Sequence, residues 1–369
     1  YILGGVTSDH ECVVRSEALE KLSRGMFVMI RQGASARNLR ALAPILAKQP
    51  HLAVRCLTVS DDITPHFLMQ RGHLDGCLRE LIERGVEPLT ALRTITLTPA
   101  EYFRLYDRGM IAPGMIADIV MIESDIENCR VRRVWKRGKL VAKNGRCLVD
   151  TKPAVISPLP GFNKEVRTPT AEELRVKAED PNAKINVIAV LHEQVVTKTM
   201  HIEPTIIDGY VCADASRDIA KMVVVEKNRG TGRFAVGFLR GFGILRGAIA
   251  SSVAHDAHNF TCAGADDVSI ATALRRLAQI HGGIVIVDGE KILEEIALPV
   301  GGLMSMLDEK EGCEKVARLT EAREKLGCDN EDALMQLSFM SLSVIPELKL
   351  TDQGYVDIMN GGAVPLFAE

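Results

Sequence analysis

The chain has 369 residues, a length that predicts two or three domains. Hydrophobic residues make up 47% and charged residues 25%, a balance that excludes long disorder. The net charge of -3 lacks the basic excess of a general nucleic-acid-binding protein, so no such partner is expected. The apolar runs are too short for a transmembrane helix, so no membrane partner is expected either. The nine cysteines form no C-x-x-C pair, which predicts reduced thiols and a cytoplasmic location.

Residues 1–107 alternate the signals of strands and helices. Short apolar runs at 26–30 and 52–59 are typical of strands buried on both faces. One helix is expected before the first of these runs, with Ser16 as its cap, and a second between the runs, with Ser35 as its cap. A third is expected after the second run, with Pro65 as its first residue. Strand, loop and helix in repetition predict a parallel α/β fold.

The rest of the chain divides into three further parts. Turn signals and β-forming residues at 108–150 predict a small β-sandwich module. Four prolines fall within 151–170, and residues 151–184 are assigned to a linker. Residues 185–369 mix both patterns and are assigned to an α+β domain, with helices expected at 269–281, 314–326 and 330–337.

Polar residues follow the apolar runs in two places and could bind a metal. His10 and Glu11 follow an apolar stretch near the start of the chain, and Asp61 and Asp62 follow the run at 52–59. In a parallel α/β barrel the carboxyl ends of the strands hold the active site. Imidazole and carboxylate both suit zinc, manganese and iron, and a carboxylate beside a metal can take a proton from water. The alternative is that these residues are caps and loop hydrogen-bonding groups.

Three other groups of residues are candidates for chemistry. His255, Asp256 and His258 lie close enough in sequence to meet one metal or substrate, although a polar loop with local hydrogen bonds fits equally well. The glycine-rich stretch 230–247 lacks both the P-loop and the dinucleotide-binding spacing, so tight turns are the favoured interpretation. Arg31 and Ser35 follow the apolar run at 26–30 and could contact a substrate, with capping and solvation as the alternative.

Several stretches carry more specific motifs, at 8–11, 29–39, 60–62, 72–75, 85–88, 98–101, 109–114, 117–120, 251–259 and 344–352. The stretches in the first third resemble the later barrel strands of bacterial adenine deaminases, which belong to the amidohydrolase superfamily. The last two resemble the C-terminal domain that distinguishes this family from its relatives. The resemblance therefore implies the C-terminal part of a (β/α)8 amidohydrolase barrel, followed by the β module and the α+β domain.

The resemblance also implies an activity and a set of roles. The expected reaction is the hydrolytic deamination of adenine to hypoxanthine and ammonia at a two-metal site of manganese or iron, with zinc as a further possibility. His10 would match a metal ligand after strand six, and Asp61 a metal ligand and proton shuttle after strand eight. Asp62 would assist catalysis or support the metal. Glu11, Arg31, Ser35, His255, Asp256 and His258 are candidates for substrate binding, and a homo-oligomer is expected.

One departure from the family limits these expectations. The superfamily's ligands from strands one, four and five would all precede His10, and no segment of this chain replaces them. The chain is therefore expected to be the C-terminal portion of a larger protein and to bind no metal tightly by itself. Two alternatives stay open: an amidohydrolase acting on another cyclic amide or amidine, and a non-catalytic fragment.

Overall fold

A computed structural model describes residues 1–34, 36–123, 126–150 and 165–368. The chain forms two compact units, Tyr1–Val155 and Ile156–Glu369. Both mix helices and strands, which confirms the α/β class. The predicted four-part division of the chain stays a prediction. Within the ranges given, no helix is both long and apolar enough to cross a membrane.

The first unit begins with a small parallel sheet. Its strands run side by side in the order β1, β2, β3, and both neighbouring pairs are parallel. Helices connect the strands, as the repetition of strand and helix signals predicted. The elements are β1 (Ser8–Asp9), α1 (Arg15–Ser23), β2 (Phe27–Arg31), α2 (Leu39–Lys48), β3 (Cys56–Val59), α3 (Pro65–Arg71), α4 (Leu74–Glu83), α5 (Pro88–Ile95) and α6 (Leu97–Tyr102).

The helices bury apolar side chains against this sheet. Leu39, Leu42 and Leu46 of α2 are fully buried and share a core with Val28 and Ile30 of β2. The spacing of three and four residues puts the leucines on one face of the helix, which explains why this pattern was recognisable in the sequence.

Some predicted boundaries in this unit are wrong by several residues. The strand expected at 52–59 starts only at Cys56, because a 3-10 turn that begins at Pro50 takes up the preceding residues. Ser16 does not cap α1, whose N-cap is Val14, and the N-cap of α2 is Asn38. Ser35 lies outside the described residues. Pro65 does begin α3, and the Thr64 hydroxyl accepts a hydrogen bond from the Phe67 amide at 3.4 Å.

The β module expected at 108–150 is a four-stranded antiparallel sheet in the order β4, β5, β6, β7. The described residues of this region form that one sheet, so the predicted sandwich is not confirmed. Its strands are β4 (Ile119–Ile122), β5 (Val131–Lys136), β6 (Lys139–Lys143) and β7 (Arg146–Cys147).

An eight-stranded, largely antiparallel sheet forms the centre of the second unit. Its order is β10, β9, β14, β13, β16, β15, β17, β18, and only β9 and β14 pair in parallel. These strands are β9 (Ile185–Val190), β10 (Thr197–Ile202), β13 (Ile219–Val225), β14 (Phe234–Arg240), β15 (Ala248–Ser251), β16 (Phe260–Gly264), β17 (Gly283–Asp288) and β18 (Lys291–Ala297). All seven residues of β13 are buried, as expected for a central strand.

Two small sheets and three helices complete the second unit. The helices predicted at 269–281 and 330–337 are found close to those bounds, whereas the one predicted at 314–326 begins earlier, at Glu309. The first of them, α7 (Asp267–Gln279), contributes Leu274 and Leu277 to the core beneath the large sheet. Part of the predicted linker forms a strand, β8 (Val176–Lys177), which pairs with β12 (Tyr210–Cys212). The elements are β8 (Val176–Lys177), β11 (Thr205–Ile207), β12 (Tyr210–Cys212), α7 (Asp267–Gln279), α8 (Glu309–Lys325), α9 (Ala333–Phe339), β19 (Leu348–Thr351), β20 (Gly354–Asp357) and β21 (Gly362–Val364).

Candidate active site

Four side chains meet at the carboxyl ends of the three parallel strands. His10 and Glu11 follow β1, Arg31 is the last residue of β2, and Asp61 lies two residues beyond β3. Because parallel strands end at the same edge of their sheet, residues that are distant in sequence are brought together there. The sequence predicted this meeting of His10 with Asp61.

The contacts within this group, called here the strand-end cluster, are short. His10 Nε2 lies 3.1 Å from Glu11 Oε1 and 3.8 Å from Asp61 Oδ2. The Arg31 guanidinium donates to Glu11 Oε2 at 2.8 Å and to Asp61 Oδ2 at 2.7 Å. Arg31 is buried, whereas about half of the His10 side chain and a third of each carboxylate are exposed. The cluster is therefore open to solvent on one side and closed by Arg31 on the other.

Charge pairing shifts the pKa values of His10 and Glu11 in opposite directions. The hydrogen bond with Glu11 has the largest influence on His10 and raises the pKa of the imidazole, against the effect of burial. Burial acts to raise the pKa of Glu11, but His10 and Arg31 together outweigh it and lower that pKa. Without a metal the arrangement thus favours imidazolium beside carboxylate, and a metal at Nε2 has to displace the proton.

The loop that carries Asp61 and Asp62 depends on a glycine opposite it. A Cβ on Gly33 would fall 1.7 Å from Asp62 Oδ1 and 2.8 Å from the Ser60 carbonyl oxygen. The Ala34 amide also donates to the Asp62 carbonyl at 2.9 Å. Sequence reasoning did not assign a role to Gly33, and its only signal was its position just after an apolar run.

The strand-end cluster fits part of a metal site. Metal–nitrogen and metal–oxygen bonds of about 2.0–2.2 Å let one ion reach two ligands that are 3.8 Å apart, as His10 Nε2 and Asp61 Oδ2 are. A carboxylate offers about four lone-pair positions, so Asp61 can accept from Arg31 and still bind an ion. Along the described chain, the one set of three potential ligands within mutual reach lies elsewhere, at Asp9, Cys12 and Glu17.

That second set is already occupied by a lysine. Lys21 Nζ contacts the carboxylates of both Asp9 and Glu17. Burial raises the pKa of the Cys12 thiol to about 11, which makes it a poor thiolate ligand at neutral pH. The set is an ion-pair group formed by β1, the loop after it and α1 rather than a metal site, and sequence reasoning did not identify it.

The residues singled out near 255 lie in the second unit and turn to different neighbours. His255 Nδ1 is 3.0 Å from the Ser338 hydroxyl, and its ring stacks on Phe339 at 4.5 Å between centroids. Asp256 is exposed, and Nδ1 of His258 is buried with no hydrogen-bond partner in the described part. The predicted role of these three residues in substrate binding stays a prediction.

Two family models match the chain. The model "Adenine deaminase C-terminal domain" matches residues 194–361, and the model "Amidohydrolase family" matches residues 61–147. An adenine deaminase of Kosmotoga olearia is 38% identical over 367 residues, which are 100% of this chain and 63% of that protein. One of Desulfatibacillum aliphaticivorans is 39% identical with the same two coverages.

The chain is similar to adenine deaminases. The match to relatives over its whole length confirms the resemblance of the motifs, and the amidohydrolase family implies a divalent metal. The chain spans less than two thirds of the length of these curated adenine deaminases. Among solved structures, a β-aspartyl dipeptidase of Fervidobacterium islandicum covers 37% of this chain and 38% of its own at 18% identity, with a TM-score of 0.30, too distant to carry an argument.

Proposed function

We propose that the protein to which this chain belongs deaminates adenine to hypoxanthine and ammonia. The observation that carries the proposal is the strand-end cluster, where an imidazole and a carboxylate lie 3.8 Å apart at an exposed edge. The names of the relatives supply the substrate. Purine salvage or adenine catabolism in the cytoplasm, as a homo-oligomer without nucleic-acid or membrane partners, forms part of the same proposal, and nine free thiols support the location.

His10 and Asp61 are the proposed ligands from this chain, and manganese or iron is the proposed metal, with zinc as a third option. Two ions are proposed for the whole protein. When bound, such an ion supplies hydroxide at neutral pH by lowering the pKa of water. The His10 and Asp61 side chains are partly exposed, whereas the Arg31 side chain that contacts Asp61 is buried.

The proposed work of Asp61 is the transfer of a proton. Its carboxylate takes a proton from water as the oxygen bonds to C6 of adenine, and it returns that proton to the exocyclic nitrogen. The carbon–nitrogen bond then breaks, and ammonia leaves without any oxidation or reduction. Asp62, packed over Gly33, is proposed to fix the loop in which Asp61 lies.

An assay of the full-length gene product with adenine and Mn²⁺ or Fe²⁺ tests the proposal. Hypoxanthine and ammonia should form in equal amounts, and Asp61→Asn should abolish their formation. Turnover of another cyclic amide or amidine in place of adenine would replace the proposed substrate. No turnover of any such compound would leave the non-catalytic alternative.

The chain by itself provides a control. Because His10 and Asp61 are the only two proposed ligands among the described residues of the strand-end cluster, equilibrium dialysis and elemental analysis should find much less than one tightly held metal per chain. One or two tightly held ions would contradict this expectation and would direct attention to His255 and His258.

A further inference from the structure

Arg31 is an unusual residue to find inside the first unit. It ends the middle strand of the parallel sheet, and only 3% of its side chain is exposed. Burial acts to lower the pKa of the guanidinium, but hydrogen bonds and charge from Asp61 and Glu11 outweigh this effect and raise that pKa. The side chain is therefore a permanently charged group whose charge is balanced by two carboxylates from two different loops.

The geometry of these contacts uses the planar shape of the guanidinium. One terminal nitrogen donates to Glu11 Oε2 at 2.8 Å, and the other donates to Asp61 Oδ2 at 2.7 Å and lies 3.3 Å from Glu11 Oε1. The arginine thus ties the segment after β1 to the segment after β3. A lysine keeps the charge but has no planar fork, so it cannot hold both carboxylates in this orientation.

Asp61 is a residue that needs such a restraint. Its φ of 59° lies in the left-handed region, which is uncommon for residues with a side chain. Its carboxylate is about one-third exposed, and the contacts that can hold it in one rotamer are those with Arg31 and His10. Arg31 supplies the fixed contact from the buried side, while the exposed side stays accessible.

We propose that Arg31 is a positioning residue that holds Asp61 and Glu11 in one arrangement around His10, and that it does not touch the substrate. Its terminal nitrogens already face carboxylates, and its burial leaves no surface for a ligand. The assignment replaces the predicted substrate contact of Arg31. Its catalytic consequence rests on the proposed function, whereas its structural part does not.

The catalytic test compares Arg31→Lys and Arg31→Ala with the unchanged full-length protein. Loss of a group that orients a metal ligand typically costs roughly 10- to 100-fold in metal affinity or activity. We expect kcat and the affinity for the metal to fall by that factor in Arg31→Lys, with the KM for adenine little changed. Added guanidinium ion should restore part of the activity of Arg31→Ala and none of that of Arg31→Lys, whose side chain fills the space.

The matched control is Asp267→Asn in the second unit. Asp267 accepts a hydrogen bond from Lys221, a buried cation whose side chain is also 3% exposed, so the change disturbs a buried ion pair of the second unit. This variant should lose stability but keep kcat, KM and metal content. A rise in KM at unchanged kcat for Arg31→Lys would overturn the proposal in favour of substrate contact, and unchanged kcat, KM and metal content would overturn it outright.

Hydrogen exchange on this 369-residue chain separates the positioning role of Arg31 from the proposed function. Hydrogen exchange of peptides covering 60–64 should be faster in Arg31→Lys than in the unchanged chain, and the same in Asp267→Asn. Faster exchange without adenine deamination by the full-length protein would retain the positioning role and reject the proposed function. Unchanged exchange in peptides 60–64 would reject the positioning role whatever the enzyme does.

Discussion

Arg31 in the first unit and Lys221 in the second are both buried cations, and their surroundings differ. Arg31 meets two carboxylates from separate loops, and an imidazole lies beside them at an exposed edge. Lys221, in the middle of the large sheet, meets Asp267 and the carbonyl of Leu174 at 3.1 Å. A buried charge by itself thus indicates only that the charge is paired. A buried charge indicates a functional site when several other ionisable groups meet it and are partly exposed, as they are at Arg31.

The sheets of the two units also differ, in the number and length of their strands. Along the described chain, the strand-end cluster stands on three parallel strands, of which β1 has two residues and β3 has four. The second unit has eight strands in one sheet, and α7 packs against the middle of it. The first sheet has fewer neighbours to hold its elements in place, so its core should yield more easily to change.

Two matched leucines test this difference, and they should give the largest effects. Leu42 of α2 and Leu277 of α7 are both fully buried on a helix that packs on a sheet. Leucine-to-alanine changes in cores cost about 2–5 kcal/mol, and less where the surroundings can collapse into the cavity. We expect Leu277→Ala near the upper end of this range and Leu42→Ala near the lower end.

Urea unfolding combined with hydrogen exchange of peptides from each unit measures both costs. Leu307→Ala serves as the control, because Leu307 is 41% exposed and its loss should change stability by no more than about 0.5 kcal/mol. Equal costs for Leu42→Ala and Leu277→Ala would break the comparison between the two sheets.

The carboxylate partners of the two cations provide the next comparison. Hydrogen bonds to charged groups contribute about 1.5–3 kcal/mol. Asp267→Asn should cost an amount in this range, because Lys221 meets no second carboxylate among the residues that the structure describes. Asp61→Asn should cost less stability, since Arg31 keeps Glu11 and asparagine tolerates the left-handed backbone. Urea midpoints of the two variants decide the order, and a larger loss in Asp61→Asn would contradict it.

The sequence predicted the meeting of His10 with Asp61 because two simple rules sufficed. Short apolar runs indicated parallel strands, and parallel strands end at one edge. Neither rule says which neighbour a charged side chain chooses, so the pairing of Arg31 with two carboxylates could not be predicted. The same holds for Lys21, whose contacts with Asp9 and Glu17 depend on the exact placement of α1 beside β1.

Boundaries were less predictable than elements, again for a physical reason. The apolar run at 52–59 contains both a 3-10 turn and β3, and apolar side chains occur in both. The turn buries only Ala53 and leaves Val54 exposed, whereas the first three residues of β3 are buried, a difference that the apolar pattern does not show. In the second unit, the helix α7 starts two residues before the predicted Ser269. Asp266 accepts from the Ser269 amide at 2.7 Å and is the true N-cap. An aspartate before an apolar, periodic stretch is a typical N-cap, so the start of α7 was predictable from Asp266.

Gly33→Ala should give the next smaller effect, and it is confined to the first unit. The added methyl would overlap Asp62 Oδ1 and press on the Ser60 carbonyl, so the loop has to move. Overpacking of this kind costs about 1–3 kcal/mol. We expect that loss in urea unfolding, together with faster hydrogen exchange in peptides 60–64, and with unchanged exchange in the peptides of β13. Unchanged exchange at 60–64 would show that the loop does not depend on Gly33.

Gly312→Ala is the matched change in the second unit and should have the opposite sign. Gly312 lies in the first turns of α8, its amide donates to the Asp308 carbonyl at 2.8 Å, and a Cβ there would have nothing within 4 Å. Alanine in a helix interior is favoured over glycine by about 0.5–1 kcal/mol, because glycine loses more backbone entropy on folding. Asp308 already caps this helix through the Glu311 amide at 2.8 Å, so the helix start needs no adjustment to accept the methyl. We therefore expect a small rise in the urea midpoint and slower hydrogen exchange in peptides of α8 alone.

A glycine-to-alanine change that stabilises here and destabilises at Gly33 would show that the cost at Gly33 comes from the crowded strand-end loop. A loss of stability at Gly312 would instead indicate a contact on α8 that involves neighbours beyond the residues described.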